Sequence, residues 1–319
     1  MKRILLLLGL IVLLVTPGRT QEKPRTLTGD LVIFHAGSLS VPMKELSAAF
    51  KRVHPGVNIL LESAGSVESA RKVTDLGRSC DILASADYKV IDNMLIPKFA
   101  SWNIKFVSNE MCLVFSEKSK YTDRITSQNW FDILLKKEVA YGRADPNSDP
   151  CGYRSVMTLQ LAEKYYKRPG LTGLLMAKDA NYMRPKEVDL LALLESNTVD
   201  YIFIYRSVAI QHQLKYLVLP DEINLKNTEL ADHYRSATVA INGKEPGQKV
   251  TMTGEPMVYG VALLNNAPHK EIALAFLEFM LTRDKGMAIL EKNGQPSVIP
   301  QKNPNWQKLP KSLNQFATQ

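Results

Sequence analysis

Five short loops of this chain carry residues that could hold an anion, and two of these loops share one design. Gly37 and Ser38 follow one apolar stretch, and Gly65 and Ser66 follow another, each just before a helix-like segment. Small residues let backbone N–H groups approach a ligand, a helix N-terminus adds unsatisfied donors, and a serine adds a hydroxyl. A serine helix cap explains either loop taken alone. The two loops together indicate a shared oxyanion site.

The other three loops add two carboxylates and a phenol. Asp149 lies in the turn-rich segment 145–154, where a structural turn with Asp149 as a helix cap is the alternative. Glu187 falls in the first turn of a predicted helix, where the helix dipole alone favours an acid. Tyr205 ends a predicted strand, where a tyrosine usually packs in the core or at its rim, although its O–H can donate to an anion. Each residue therefore has a purely structural alternative.

The elements that would position these loops alternate between strands and helices. The apolar spacing predicts strands at 31–34, 57–62, 81–84, 111–116, 201–205 and 257–264. It predicts helices at 41–54, 66–76, 88–95, 155–166, 188–195 and 270–281. This order is typical of parallel sheets covered by helices, and two α/β lobes with one cleft suit the length. Ligands of such sheets bind at the carboxyl ends of the strands.

Composition and the N-terminus indicate an exported globular protein. The 319 residues are 45% hydrophobic and 23% charged, which suits a packed core. Residues 1–20 combine Lys2 and Arg3 with an apolar run at 4–15, which predicts a secretory signal peptide, with an uncleaved anchor as the alternative. Removing this segment lowers the formal charge from +8 to +5. No dense basic run is interleaved with aromatic residues, so we do not expect nucleic-acid binding.

Cysteine and histidine spacings do not indicate catalysis or a zinc site. The odd count of three cysteines, Cys80, Cys112 and Cys151, leaves at least one thiol free in an exported protein. Their spacing fits no zinc pattern. The chain contains neither a nucleophile elbow nor a P-loop, and His35 beside the first loop is better explained as a structural histidine. We therefore do not expect an enzyme.

Five motifs together resemble a known family. They are HAGSL at 35–39, SAGSV at 63–67, DPCGYR at 149–154, RPKE at 184–187 and YIFIYRSVA at 201–209. The chain resembles the tungstate/molybdate-binding proteins of the WtpA/ModA type from about residue 30 to about residue 300. The resemblance implies a type II periplasmic binding protein fold, an α/β structure whose two lobes are joined by a two-strand hinge. It also implies a monomeric periplasmic carrier, without a cofactor, that serves the permease and ATPase of an ABC importer.

The resemblance also implies the ligand site. The implied binding residues are Gly37, Ser38, Ser66, Asp149, Pro150, Cys151, Glu187 and Tyr205. Hydroxyl and backbone donors would hold the oxo groups, while Asp149 and Glu187 would bind molybdenum or tungsten directly and complete a distorted octahedron. Carboxylates would repel sulfate, whereas a hard, high-valent metal accepts their oxygens. A carrier of sulfate or phosphate on the same fold is the alternative, and a secreted hydrolase is the less favoured one.

Two lobes predict a closing motion. We assign residues 29–109 and 252–319 to the first lobe and residues 110–251 to the second. Ser38 and Ser66 would then face the two carboxylates and Tyr205 across a cleft. Because a ligand would contact both lobes, it would favour closure by hinge bending.

Overall fold

The computed structural model of the chain describes residues 26–243 and 247–319. The predicted signal peptide at residues 1–20 lies outside the described residues. Within the described ranges, no helix combines the length and the apolar character needed to cross a membrane.

Most strands are short, as expected for an α/β chain. The described strands are β1 (Thr28–Ala36), β2 (Gly56–Ala64), β3 (Ile82–Ser85), β4 (Ile104–Ser108), β5 (Met111–Phe115), β6 (Tyr141–Ala144), β7 (Met183–Arg184), β8 (Tyr201–Tyr205), β9 (Lys215–Val218), β10 (Thr238–Asn242), β11 (Lys249–Thr253), β12 (Val258–Leu263), β13 (Gln301–Lys302) and β14 (Ala317–Thr318).

Helices separate the strands along the chain. The described α-helices are α1 (Ser40–Val53), α2 (Ser66–Thr74), α3 (Tyr88–Val90), α4 (Trp130–Leu134), α5 (Pro150–Tyr165), α6 (Leu171–Asp179), α7 (Leu190–Glu195), α8 (Arg206–Gln211), α9 (Asp221–Asn224), α10 (Ala231–Tyr234), α11 (Lys270–Leu281) and α12 (Ala288–Lys292). Tighter or wider helical turns occur at Gly37–Leu39, Ile91–Leu95, Ala180–Tyr182, Glu187–Asp189, Thr228–Leu230, Arg283–Met287, Trp306–Lys308 and Lys311–Phe316.

Ten of the described strands form two five-stranded sheets, one in each lobe, while β10 pairs with β11 and β13 pairs with β14. The first has the order β2-β1-β3-β12-β4, and the second has the order β7-β6-β8-β5-β9. Phe50 of α1 packs against Phe276 and Phe279 of α11 in the first lobe. Phe203 of β8 packs against Trp130 and Tyr141 in the second lobe. The predicted α/β fold with two lobes is confirmed.

Both sheets are mixed, whereas the alternating element order predicted parallel sheets. In the first sheet β1 runs parallel to β2 and β3, but β12 runs antiparallel to β3 and β4. In the second sheet β6 runs parallel to β7 and β8, but β5 runs antiparallel to β8 and β9. The cause is the path of the chain. β5 and β12 arrive from the other lobe, so they begin at the cleft, where their neighbours end.

The chain crosses between the lobes at two described places. Asn109 and Glu110 join β4 to β5, and residues 254–257 join β11 to β12. The carboxyl ends of β1, β2 and β3 and of β6, β7 and β8 thereby face the same cleft. The lobe boundaries of 29–109 with 252–319 and of 110–251 stay a prediction.

Candidate ligand site between the two lobes

The structure brings the five predicted loops together at the carboxyl ends of the strands. The first lobe contributes the segments after β1 and β2, and the second contributes those after β6, β7 and β8. The hydroxyl and carboxyl side chains of the predicted set are all at most 2% exposed: Ser38, Ser66, Asp149, Glu187 and Tyr205.

Two glycines show how closely the lobes approach each other. A Cβ on Gly37 would lie 2.6 Å from Oε2 of Glu187, and a Cβ on Gly65 would lie 2.2 Å from the backbone oxygen of Ser148. Both contacts join the first lobe to the second. The structure is therefore closed around the predicted site. Only glycine permits the approach at Gly65, where backbone atoms lie opposite, whereas at Gly37 the end of the Glu187 side chain would have to shift.

Neither predicted serine acts as a helix cap. Leu39 precedes α1 and Gly65 precedes α2, in each case without a side-chain cap hydrogen bond. The hydroxyl of Ser66 instead accepts a 2.9 Å hydrogen bond from the backbone N–H of Ala86, just after β3. Because the Ser66 oxygen accepts this bond, the hydroxyl proton points away from the Ala86 N–H. The capping alternative therefore does not explain Ser66.

Ser38 is part of a hydrogen-bond chain that the sequence did not predict. The Nδ2 of Asn109 donates to the hydroxyl of Tyr259 at 2.9 Å, and that hydroxyl is 2.8 Å from Oγ of Ser38. The Asn109 amide orientation is fixed because Oδ1 accepts from the backbone of Glu110 and Ser207. Tyr259 and Ser38 share one hydrogen bond in which either hydroxyl can be the donor, so Ser38 can turn its proton towards a ligand when Tyr259 donates to it.

Asp149 is a helix cap and also holds the fourth loop. Its Oδ1 accepts a 2.8 Å hydrogen bond from the backbone N–H of Cys151 at the start of α5. Its Oδ2 accepts from the backbone N–H of Glu187 at 3.2 Å. Burial raises the pKa of Asp149. Asp149 is therefore a helix cap, as the structural alternative stated. Its carboxylate also lies directly beside Glu187.

Glu187 is the chemically unusual member of the set. The side chain is fully buried, yet neither Oε1 nor Oε2 has a well-formed hydrogen bond within the described ranges. Burial, followed by the charge of Asp149 and a side-chain contact with it, raises the pKa of Glu187 well above its ordinary value, while the backbone amides of Glu187 and Ser38 oppose this without reaching good hydrogen-bond geometry. Buried carboxyl groups without partners are rare, so a partner from outside the chain is the natural explanation.

Tyr205 presents its hydroxyl to the same space. Nη1 of Arg154 donates to the Tyr205 oxygen at 3.2 Å. Burial raises the pKa of Tyr205 well above its ordinary value, which keeps the phenol protonated. Because the oxygen accepts from Arg154, the phenol proton points away from the guanidinium, just as the Ser66 proton points away from the Ala86 N–H.

Pro150 and Cys151 have less freedom to donate than the resemblance implies. Proline has no N–H, and the N–H of Cys151 is already bonded to Asp149. The thiol of Cys151 is buried beside the backbone oxygen of Phe203, 3.7 Å away. The thiols of Cys80, Cys112 and Cys151 are all free and buried, in agreement with the odd count.

Three residues at the site had no role in the sequence analysis. Arg154 lies inside the DPCGYR motif, Tyr259 lies in a predicted strand, and Asn109 lies in the link between β4 and β5. Position in the motif was a signal for Arg154. The sequence held no such signal for Tyr259 or Asn109, because their hydrogen-bond partners are distant in sequence.

Comparison with known proteins identifies the class. The family model described as bacterial extracellular solute-binding protein matches residues 31–295. The chain therefore belongs to the extracellular solute-binding proteins.

The more similar relatives narrow this class. The chain is 50% identical over 291 residues to an "Uncharacterized solute-binding protein" of Petrotoga mobilis, covering 91% of this chain and 90% of the relative. It is 42% identical over 302 residues to the "Molybdate/tungstate-binding protein WtpA" of Pyrococcus abyssi, covering 86% of each. A relative of the same name from Thermococcus kodakarensis is 40% identical, with 88% of this chain and 84% of the relative covered.

Solved structures support the fold. The Azotobacter vinelandii periplasmic molybdate-binding protein matches with a TM-score of 0.63 at 16% identity, covering 85% of this chain and 99% of that one. The sulfate-binding protein SubI of Mycobacterium tuberculosis matches with a TM-score of 0.60 at 14% identity, covering 84% and 87%. At such identities the likeness concerns the fold, which these carriers of different anions share.

Proposed function

We propose that this chain captures tungstate or molybdate outside the cytoplasm and delivers it to the permease and ATPase of an ABC importer. Its membership of the extracellular solute-binding proteins supports the role as a carrier. Relatives at 40–42% identity named molybdate/tungstate-binding protein support the choice of ligand. The proposed binding residues are Gly37, Ser38, Ser66, Asp149, Pro150, Cys151, Glu187 and Tyr205.

Three hydroxyl groups suit a fully deprotonated oxyanion. The oxygens of Ser66 and Tyr205 each accept a hydrogen bond from the protein, and Ser38 shares one with Tyr259, so all three hydroxyl groups can turn a proton towards a ligand. Donors fixed in advance cost little reorganisation when an anion enters. This part of the site would serve any tetrahedral oxyanion, so it does not select among them.

The buried, unpartnered carboxyl group of Glu187 carries the choice of ligand. A protonated carboxyl group can donate to any oxyanion, whereas an ionised pair would repel sulfate, so selection requires that Glu187 and Asp149 lose their protons when they bind a metal centre. Tungsten(VI) and molybdenum(VI) accept further oxygen ligands, and carboxylates suit a hard metal centre. Glu187 and Asp149 would then bind the metal directly, so the same groups favour the correct anion and reject others.

The test is calorimetric titration of the mature protein with tungstate, molybdate and sulfate. We expect one-to-one binding of the first two and none of sulfate. Glu187→Gln should weaken tungstate binding by roughly a hundredfold, which corresponds to about 2.7 kcal/mol. Glu195→Gln is the matched control, because Glu195 is an exposed carboxylate on the adjacent helix α7.

Two results would contradict the proposal. Sulfate or phosphate binding as tight as tungstate binding would move the assignment to a general oxyanion carrier and leave the carboxylates with structural roles. Unchanged tungstate binding in Glu187→Gln would remove the proposed metal coordination by that residue.

A further inference from the structure

A buried arginine joins the two lobes beside the candidate site. Arg154 lies in α5 of the second lobe, and its Nη1 donates a 2.7 Å hydrogen bond to the backbone oxygen of Ala86 in the first lobe. Its Nη2 lies 3.2 Å from Oδ2 of Asp87, also in the first lobe, and the two side chains are 3% and 4% exposed. These contacts join one lobe to the other.

Two consecutive residues of α5 hold the Asp87 carboxylate. The hydroxyl of Tyr153 donates to Oδ2 of Asp87 at 2.6 Å, beside the Arg154 guanidinium. Oδ1 of Asp87 accepts from the backbone N–H of Lys89 and so caps α3. The first lobe thus fixes the carboxylate in place, and the second lobe supplies both partners. We call Asp87, Tyr153 and Arg154 the interlobe clamp.

The clamp is connected to ligand groups of both lobes. The backbone N–H of Ala86 donates to the hydroxyl of Ser66, and the backbone oxygen of Ala86 accepts from Arg154. The same Nη1 of Arg154 also donates to the hydroxyl of Tyr205. One continuous chain of hydrogen bonds therefore runs from Ser66 in the first lobe to Tyr205 in the second.

We propose that Arg154 is a positioning residue that couples lobe closure to anion recognition. Closure brings its guanidinium against Ala86 and Asp87, and from this place it occupies the Tyr205 oxygen and turns the phenol proton towards the ligand. The inference rests on the proposed function as far as the ligand is concerned. The clamp itself is defined by contacts between the lobes.

The interlobe clamp should act mainly by slowing dissociation of the bound anion. A buried ion pair contributes little net stability, but breaking one partner away leaves an uncompensated buried charge. The first separation of the lobes parts Asp87 from Arg154 before water surrounds either side chain, so the pair resists that step. Entry of the anion into an open cleft does not need the pair.

Rapid-mixing kinetics of tungstate binding test the release step. In Arg154→Gln and in Asp87→Asn, which removes the charge from the opposite lobe, we expect dissociation to be faster by about tenfold and association to change by less than about threefold. Lys120→Gln is the matched control, because its ion pair with Asp200 lies within the second lobe. Wild-type dissociation rates in both clamp variants, or losses confined to association, would overturn the clamp.

A double-mutant cycle tests the orientation of Tyr205. If Arg154 acts through the phenol, Arg154→Gln weakens binding by a smaller factor in a Tyr205→Phe background than in the wild type. Asp87→Asn should also weaken binding by a smaller factor in the Tyr205→Phe background, because it loosens the guanidinium that orients the phenol. Equal factors for Arg154→Gln in the two backgrounds would overturn the positioning role.

Energy transfer between dyes separates this inference from the proposed function. Val53→Cys on α1 and Leu174→Cys on α6 place one dye on each lobe, at positions 62% and 60% exposed. Without ligand, Arg154→Gln and Asp87→Asn should shift the population towards the larger dye separation. An unchanged separation would overturn the clamp. Failure of the wild type to bind tungstate would overturn the proposed function and leave this result standing.

Discussion

Glu187 is a residue whose surroundings in the site are unfavourable for folding. The side chain is fully buried, its oxygens have no well-formed hydrogen bond in the described part of the chain, and Asp149 lies beside it. An unsatisfied buried polar group costs about 1–3 kcal/mol. No interaction within the folded chain offsets that cost, whereas a metal centre bound by the carboxylate oxygens would offset it. Function and stability should therefore oppose each other at this residue.

Replacing Glu187 by methionine should make the ligand-free protein more stable. The change removes the unpartnered carboxyl group at similar side-chain length, and we expect the free energy of unfolding to rise by about 1 kcal/mol. Urea denaturation without ligand measures the change, and exposed Glu195→Met serves as control. A clear loss of stability would mean that the carboxyl group has a stabilising partner in the free protein.

His35 should make stability depend on pH. Burial lowers the pKa of His35 from 6.5 to about 4, although its ring is hydrogen-bonded to the Ala36 oxygen. The unfolded chain therefore binds a proton more readily than the folded one below pH 6.5. The histidine's contribution is intact above that pH and is lost as the pH falls towards 4, by about 2 kcal/mol at pH 5.

Urea denaturation at pH 8 and pH 5 checks the His35 effect. His35→Gln can keep a hydrogen bond to Ala36 but has no proton to gain. Its loss of stability between the two pH values should be smaller than that of the wild type by about 2 kcal/mol. Parallel pH profiles in the two proteins would show that His35 does not titrate as inferred.

Among the elements, the start of α5 combines capping with ligand placement. Asp149 is the N-cap and Pro150 follows at the first helical position, where its missing N–H and fixed φ are favourable. The predicted helix began at residue 155, because the run of turn residues before it masked this start. The helix itself begins at Pro150, which places Arg154 within its second turn.

Asp149→Ala and Asp149→Ser should separate the two roles of Asp149. Alanine removes the cap and should cost about 1 kcal/mol of stability, whereas serine restores most of it. Because neither has a carboxylate, tungstate binding should fall strongly in both. Urea denaturation and calorimetry together measure the effects. If serine also restored binding, the cap, and not the carboxylate, would be what the ligand requires.

Elements with a long or clean apolar pattern could be predicted from sequence. β8 and α11 have the predicted bounds, Tyr201–Tyr205 and Lys270–Leu281. Most of the short strands were missed, because two to five residues carry little periodicity; they are β4, β6, β7, β9, β10, β11, β13 and β14. The short strand β3 was predicted, since it is wholly apolar or small. The antiparallel direction of β5 and β12 relative to their neighbours could not be predicted either. The pattern of apolar residues in a strand does not indicate which end of that strand lies at the cleft.

The candidate site was predictable to the extent that it depends on strand ends. Ser38, Ser66 and Tyr205 follow or end predicted strands, so their meeting at one cleft followed from the fold class. Tyr259 could not be predicted, because its contact with Ser38 joins residues 221 positions apart. A pattern within one strand does not identify such a partner.

For the whole molecule, closure depends on residues that leave room between the lobes. Gly65 precedes α2 in the first lobe, and Ser148 lies in the loop before α5 in the second. The backbone of Glu68 donates to the Ser148 oxygen at 3.2 Å, so this contact is part of the closed interface. Since backbone atoms line the gap, the neighbouring segment has no flexible side chain to move aside.

Gly65→Ala should hinder closure. Its Cβ would lie 2.2 Å from the Ser148 oxygen, while the backbone of residue 65, with φ of −58° and ψ of 144°, suits alanine. The folded lobes should therefore keep their stability while tungstate affinity falls by about tenfold or more. Solution X-ray scattering with saturating tungstate should give a larger radius of gyration than for the wild type.

Gly173→Ala is the matched control for this prediction. Gly173 lies in α6, and a Cβ there would meet nothing within 4 Å, so alanine should leave affinity unchanged and slightly favour the helix. If Gly65→Ala bound tungstate like the wild type and closed to the same radius, the loops would have enough freedom to separate locally. Ligand binding would then not require the interlobe contact at Gly65, and closure would depend on the Asp87–Arg154 side of the cleft.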